Sequence, residues 1–269
     1  MFTGRQWDSR AIKLTSTAMA IVLACSLAGC ANGRLTTSSV DTSTPLAQMS
    51  ESELESAAKA LGRAYTQNTK DRAVAMRYAS VLQMNGRSDQ SLAVMRKLVI
   101  DYPHDRTVLA AYGKALAADG QFEAALDAVR RAQTPEYPDW RLLSAEGAIL
   151  DQLGKPQEAR ERYRRALELH PNEPSVLSNL GMSYLLEGDL KTAEIQMRKA
   201  VAAPGADSRV RQNLALVVGL QGRFEEAEKI AREELTPEQA SANIAYLRQM
   251  LSQQNAWNAL ASEDDRATN

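Results

Sequence analysis

Gly86, Gly120, Gly154, Gly188 and Gly222 stand 34 residues apart, with no insertion or deletion between them. A period of this length constrains the chain to a stack of near-identical supersecondary units. Neighbouring positions keep the same beat. Seven residues before each glycine lies a small residue: Ala79, Gly113, Gly147, Gly181 and Ala215. Five residues after each lies another: Ser91, Ala125, Ala159, Ala193 and Ala227. Four before each is a residue able to fill a core: Leu82, Leu116, Leu150, Tyr184 and Val218.

The unit at residues 174–207 shows what each repeat does. Leu177, Leu180, Gly181 and Tyr184 recur at helical spacing and mark one face of a first helix. Gly188 ends that helix, since glycine accepts the left-handed backbone of a C-terminal cap without a Cβ clash. Leu190, Ala193, Met197, Ala200 and Val201 form the stripe of a second helix, which Pro204 stops. Gly181 and Ala193 lack bulk where the two helices cross. Pro103 and Pro171 close the second helices of the first and third units, while Tyr137-Pro138-Asp139 and Thr236-Pro237-Glu238 serve the second and fifth.

No single pair can bury its apolar face alone, so the units are expected to share one continuous core. The 34-residue period, the helix–turn–helix grammar and the Gly…Ala…Pro positions resemble the tetratricopeptide repeat (TPR) family. The expected fold is all-α: a TPR α-solenoid of five repeats, at 72–105, 106–139, 140–173, 174–207 and 208–241, with a flanking helix at each end. Ser50-Glu51-Ser52-Glu53 reads as a capping box opening the N-terminal flanking helix of residues 51–71, with Leu54, Ala57, Ala58, Leu61 and Tyr65 on one face. Thr236-Pro237-Glu238-Gln239 opens a capping helix at 237–258, with Ala240, Ile244, Leu247 and Leu251 inward. Residues 259–269 are charged and small, and read as a disordered tail.

Residues 1–29 read as a leader. Arg5, Arg10 and Lys13 precede an apolar run from Ala18 to Ala28, too short for an ordinary transmembrane helix and suited to a signal-peptide core. The run ends in Leu27-Ala28-Gly29-Cys30, which resembles a bacterial lipobox and makes Cys30 the expected site of lipid attachment. The other reading is an ordinary secretory signal with a chance cysteine. By the same resemblance, Ala31 in place of Asp favours the outer membrane over inner-membrane retention. Residues 30–50, rich in Ser and Thr, then form a flexible tether.

Cleavage before Cys30 removes Cys25, so no thiol is left for a disulfide, a metal or a nucleophile. Loss of Arg5, Arg10, Lys13 and Asp8 takes the net charge from −1 to −3. No basic stripe for nucleic acid is present. Arg160, Arg162, Arg164 and Arg165 interleave with Glu158, Glu161 and Glu168, the pattern of a solvated helix face. His104 and His170 flank turn prolines without the spacing of metal ligands. No nucleophile elbow, phosphate loop or dinucleotide fingerprint occurs. No carboxylate stands in an apolar stretch that would raise its pKa for acid–base work. The expectation is a non-enzymatic chain with no cofactor, metal or small-molecule substrate.

In the TPR family the first helices line the binding face. Ser175, Ser178, Met182, Leu185 and Leu186 of the fourth unit, and Arg209, Gln212, Leu216 and Leu220 of the fifth, are therefore contact candidates, with Met76 and Met84 in the first. Their apolar members suit a partner's apolar segment, or else pack between adjacent first helices. Asn179 and Asn213 lie 34 residues apart on this face. A spaced amide pair can hydrogen-bond an extended peptide backbone, or can tie neighbouring repeats together. The expected groove comprises Asn179, Asn213, Met182, Leu186, Arg209 and Leu216. The lysine pattern of chaperone-binding TPR proteins is not matched.

The stretches at 138–155, 174–186, 208–231 and 242–251 resemble the TPR lipoproteins of tight-adherence (Flp) pilus assembly systems. That resemblance implies an outer-membrane lipoprotein facing the periplasm, with a pilus secretin or another assembly component as its partner. The implied role is pilotin-like, conducting secretin subunits to their membrane. The alternative is a lipidated adaptor that scaffolds cell-wall enzymes or proteases.

Overall fold

The computed structural model describes the backbone of residues 46–134, 136 and 138–267, and side chains as far as residue 253 other than that of residue 47. The leader at 1–29 and residues 30–45 of the tether, Cys30 among them, lie outside the described residues. Among the described residues the chain forms twelve α-helices, and no helix is long and apolar enough to cross a membrane.

The five first helices are α2 (Arg72–Met84), α4 (Arg106–Ala118), α6 (Trp140–Gln152), α8 (Pro174–Leu186) and α10 (Ser208–Leu220). Each pairs with a second helix: α3 (Ser88–Asp101), α5 (Phe122–Ala132), α7 (Pro156–Leu169), α9 (Leu190–Ala202) and α11 (Phe224–Ala231). The flanking helices are α1 (Glu51–Gln67) and α12 (Pro237–Ala267). This is an α-solenoid built of helix pairs.

The turn glycines act as the period implies. Gly154 has φ +70, and its N–H donates to Asp151 O at 3.1 Å while Lys155 N–H donates to Leu150 O at 2.9 Å. This pair of bonds is a Schellman cap, and it recurs after α2, α4, α8 and α10. The opposite ends carry a second periodic signal, one that the glycine ladder overshadows in the sequence. Asp71, Asp105, Asp139, Glu173 and Asp207, also 34 residues apart, accept backbone N–H groups at the N-termini of α2, α4, α6, α8 and α10. Each such cap is worth about 1 kcal/mol, and the carboxylate complements the helix dipole.

Within a pair, bulk and its absence are matched. A Cβ on Gly147 would lie 2.6 Å from Tyr163 Cε1, and one on Gly113 2.6 Å from Val129 Cγ2. Ala125, Ala159, Ala193 and Ala227 are fully buried, and Ser91 donates its hydroxyl to Ala79 O at 2.8 Å.

The core is not continuous. One cluster runs from Ala75 to Leu180, and a second joins Leu185, Met197, Leu214, Val218 and Ile244, with the half-buried Tyr184 packed against both. The break has a physical cause: polar Ser144, Asp151, Ser178, Asn179 and Ser183 lie along the contact between α6 and α8 and its continuation to α10, and form hydrogen bonds across it.

Both ends differ from the sequence reading. Leu46–Gln48 forms a 3-10 turn, and Leu46 and Met49 pack against Leu54, Ala57, Leu61 and Val81, so the end of the tether joins the fold. Helix α12 does not stop at 258 but runs through the expected tail to Ala267. Its sequence after Pro237 contains no glycine or proline and is rich in alanine, so nothing local ends it.

Candidate functional site

First helices touch in succession, α2 on α4, α4 on α6, α6 on α8 and α8 on α10, and make one face of the stack. Both asparagines lie there, engaged within the chain. Asn179 donates from Nδ2 to Ser144 Oγ at 3.1 Å, and Asn213 donates from Nδ2 to Ser178 Oγ at 3.0 Å. Ser144 and Ser178 repeat the 34-residue spacing, so each amide ties its own first helix to the one before it. Among the described residues neither Oδ1 has a protein partner, and these acceptors are what the pair retains for a ligand.

The apolar candidates separate by burial. Leu186, the last residue of α8, is 50% exposed. Met182 and Leu216 are half-buried, with Met182 packed on the second core cluster. Leu185 and Ser178 are buried and offer no surface. Arg209 is exposed at the start of α10, and its nearest carboxylate among the described residues is Asp207 at 3.8 Å.

A groove of about 490 Å³ lies instead over α2, α4 and α6. Ala117, Ala118, Ala145, Ala148, Ile149, Phe122 and Val129 give it an apolar lining, with Gln83 and the exposed Lys114 and Gln152 as its polar residues. Searching the sequence for Met and Leu passes over such a place. The available signal is Ala145, a small residue at the position that Asn179 and Asn213 occupy in later units.

Two charged groups are buried, and one of them, Arg160, was expected on a solvated helix face. Arg160 pairs with Glu187 at 2.7 Å, with its guanidinium carbon 4.8 Å from the centre of the Tyr184 ring. Glu146 accepts from Arg130 at 2.9 Å and lies 3.4 Å from Arg162, and both arginines belong to second helices. Asp151 accepts from Ser183 at 2.7 Å and from Tyr163 at 2.9 Å. Burial raises the Asp151 pKa, and those two bonds and Arg160 only partly offset it. The sequence reading placed no carboxylate in such surroundings, because the burying groups come from residues 12 and 32 positions away. Ser183 is fully buried, so the Ser183–Asp151 pair has no approach for a substrate.

Glu194 behaves oppositely. Burial would raise its pKa, but hydrogen bonds from Gln221, Arg223 and Arg198 bring it down to about 2. Among the described residues no group of three or more His, Cys, Asp or Glu is placed to hold a metal ion. What this arrangement does chemically is hold: apolar hollows, amide acceptors and exposed cations along one helical face.

Comparison with known proteins agrees with the fold. Residues 79–139 and 145–208 match the model of the tetratricopeptide repeat. No curated protein matches the chain in sequence. Among solved structures, PilW, titled a widely conserved type IV pilus biogenesis factor, is 17% identical, with 74% of this chain and 91% of that one covered and a TM-score of 0.59. TTC0263, a thermophilic TPR protein of Thermus thermophilus, is 20% identical over 65% of this chain and 97% of its own, with a TM-score of 0.57. PilF of Pseudomonas aeruginosa is 21% identical over 66% of this chain and 82% of its own, with a TM-score of 0.51. At these identities the likeness is one of fold, an α-solenoid of TPR helix pairs.

Proposed function

We propose that this chain of tetratricopeptide repeats is a non-enzymatic, lipid-anchored scaffold for tight-adherence (Flp) pilus assembly, equivalent to the lipoprotein TadD. In this reading Cys30 carries the lipid, the outer membrane is the address and the solenoid faces the periplasm. Its action is pilotin-like: the solenoid holds an apolar segment of a secretin subunit until the subunit reaches the membrane. The client contacts would include Leu186, Met182 and Leu216, with Arg209 for an acidic residue and the amide oxygens of Asn179 and Asn213 for backbone N–H groups.

The observation that carries this reading is the succession of Leu27-Ala28-Gly29-Cys30, a polar tether and a five-unit solenoid in one chain. The resemblance of the stretches at 138–155, 174–186, 208–231 and 242–251 to pilus lipoproteins supports it. One protein of like fold, PilW, is a type IV pilus biogenesis factor, which fits the proposal without extending it. More than one acyl chain on Cys30 gives the stable membrane residence such a role needs.

The test is a pull-down with the lipidated full chain from cells that make the pilus, together with membrane fractionation of a deletion strain. Secretin should be recovered, and its multimers should be lost from the outer membrane when the chain is absent. Recovery of peptidoglycan hydrolases or proteases, with secretin assembly intact, would replace this reading by the adaptor.

A further inference from the structure

The five first helices carry seven Lys and Arg side chains against two carboxylates, Glu146 and Asp151, in a chain whose net charge is −1. Neither carboxylate is open to a partner: Glu146 is buried against Arg130 and Arg162, and Asp151 is engaged by Ser183 and Tyr163. Several of the cations are also engaged. Arg72 pairs with Asp105 at 2.8 Å, Arg211 with Glu234, and Arg106 donates to Ala132 O. Lys114 differs. It is exposed, lines the groove over α2, α4 and α6 and has no carboxylate partner among the described residues.

We infer that this groove takes a partner protein's segment in which an apolar side chain stands next to an aspartate or glutamate. The apolar side chain lies on the methyl groups of Ala117, Ala118, Ala145 and Ala148, against Phe122. The carboxylate meets Lys114, while Gln83 and Gln152 supply donors and acceptors for the segment's backbone. Charge complementarity selects this occupant. A cationic segment would be repelled by Lys114 and, among the described residues of the first helices, would meet no carboxylate free to pair with it; an acidic one gains a pairing that a purely apolar segment forgoes. The alanine lining matters equally, because methyl groups leave the volume open and let a backbone come close. The groove's volume lies within the range of binding pockets. The inference rests on the client-holding reading and adds the place and chemistry of a further grip, on the first three units, beside the contacts on the last two.

The test selects random peptides displayed on phage against the purified full chain. Recovered peptides should pair an aromatic or aliphatic residue with an adjacent Asp or Glu, and their affinity should fall with salt. Lys114→Glu should weaken them about tenfold and turn a fresh selection towards Lys and Arg; Ala148→Leu, which fills the groove, should weaken them by a similar factor. Both positions are exposed or half-buried, and an unchanged melting curve confirms that each variant folds. Recovery of no peptides, of peptides without acidic residues, or of peptides indifferent to both substitutions would overturn the inference. Secretin capture that survives both substitutions leaves the pilus reading standing and removes the groove. Acidic–apolar peptides without secretin capture do the reverse.

Discussion

Gly147→Ala adds one methyl group and tests the packing logic of the whole stack. In an exposed helix that change would stabilise by about 1 kcal/mol. Here the added Cβ would lie 2.6, 2.8 and 2.9 Å from Cε1, Cζ and Cδ1 of Tyr163. The ring cannot step aside cheaply: it is 1% exposed and its hydroxyl donates to Asp151 at 2.9 Å. Overpacking costs about 1–3 kcal/mol, and displacing the ring forfeits a hydrogen bond of about 1 kcal/mol. Net of helix propensity, a destabilisation of about 2 kcal/mol is expected in urea unfolding, as a lower midpoint at unchanged slope.

The other units supply the control. The first pairs Ala79 with Met95, and the fifth pairs Ala215 with Ala231, at the positions where the third pairs Gly147 with Tyr163. A flexible Met therefore accommodates an alanine opposite, and in a Tyr163→Met background Gly147→Ala should cost less than about 0.5 kcal/mol. The double-mutant cycle should then show a coupling of about 1.5–2 kcal/mol. A Gly147→Ala protein as stable as the parent, or a coupling near zero, would show that the α6–α7 crossing is not limited by this contact.

Cys30→Ser should abolish labelling by a palmitate analogue and release the chain from membranes; persistent labelling removes the lipobox. Asn179→Ala with Asn213→Ala should lower stability by about 2 kcal/mol, one hydrogen bond each, and weaken client binding about tenfold if their Oδ1 atoms also hold a client. Loss of stability with affinity intact would leave them only the tie between first helices. Asp151 is more basic folded than unfolded, so its contribution to stability is present below the unfolded value of 3.8 and is lost as pH rises through the raised folded value. Asp151→Asn should flatten that loss, and urea midpoints at acid and neutral pH that fall as steeply as the parent's would refute the assignment.

The periodic parts of this chain were legible because they are local. Gly86 and its equivalents each close a cap with the four residues before them, and the Gly147 position announces a close crossing without reference to distant units. The polar seam was not legible. Nothing in the residues around Asp151 says that Tyr163 and Ser183 will enclose it, and Arg160 looks in sequence like any other member of a mixed charge run. The same holds for the groove, where the informative residues are alanines and a lysine, types found everywhere on helices. Asn179 and Asn213 stood between: their periodicity was visible, but whether they would face a ligand or a neighbouring serine depended on the distance between first helices.

The seam also answers a problem that repetition creates. Units with the same apolar stripe can in principle stack out of register or on the wrong neighbour, since apolar contact is non-directional. Each junction here carries polar pairings of its own. Arg87 meets Glu55, and Arg72 meets Asp105. Further along, Arg96 meets Gln121 and Arg130 meets Glu146. Gln157 and Arg160 share Glu187, and Arg223 meets Glu194. Exposed pairs of this kind add little stability, but a mispaired junction would take Arg130 from the buried Glu146 or the Ser183 hydroxyl from Asp151, a loss of about 1–3 kcal/mol each. The division of the core falls within α8, whose Val176 and Leu180 belong to the first cluster and whose Leu185 belongs to the second. Polar pairings of Asn179, Ser183 and Asn213 beside that division favour one register, and Tyr184 packs against both clusters. A face meant to hold an extended partner across several units needs that fixed register, because one displaced unit would move every hollow and amide beyond it.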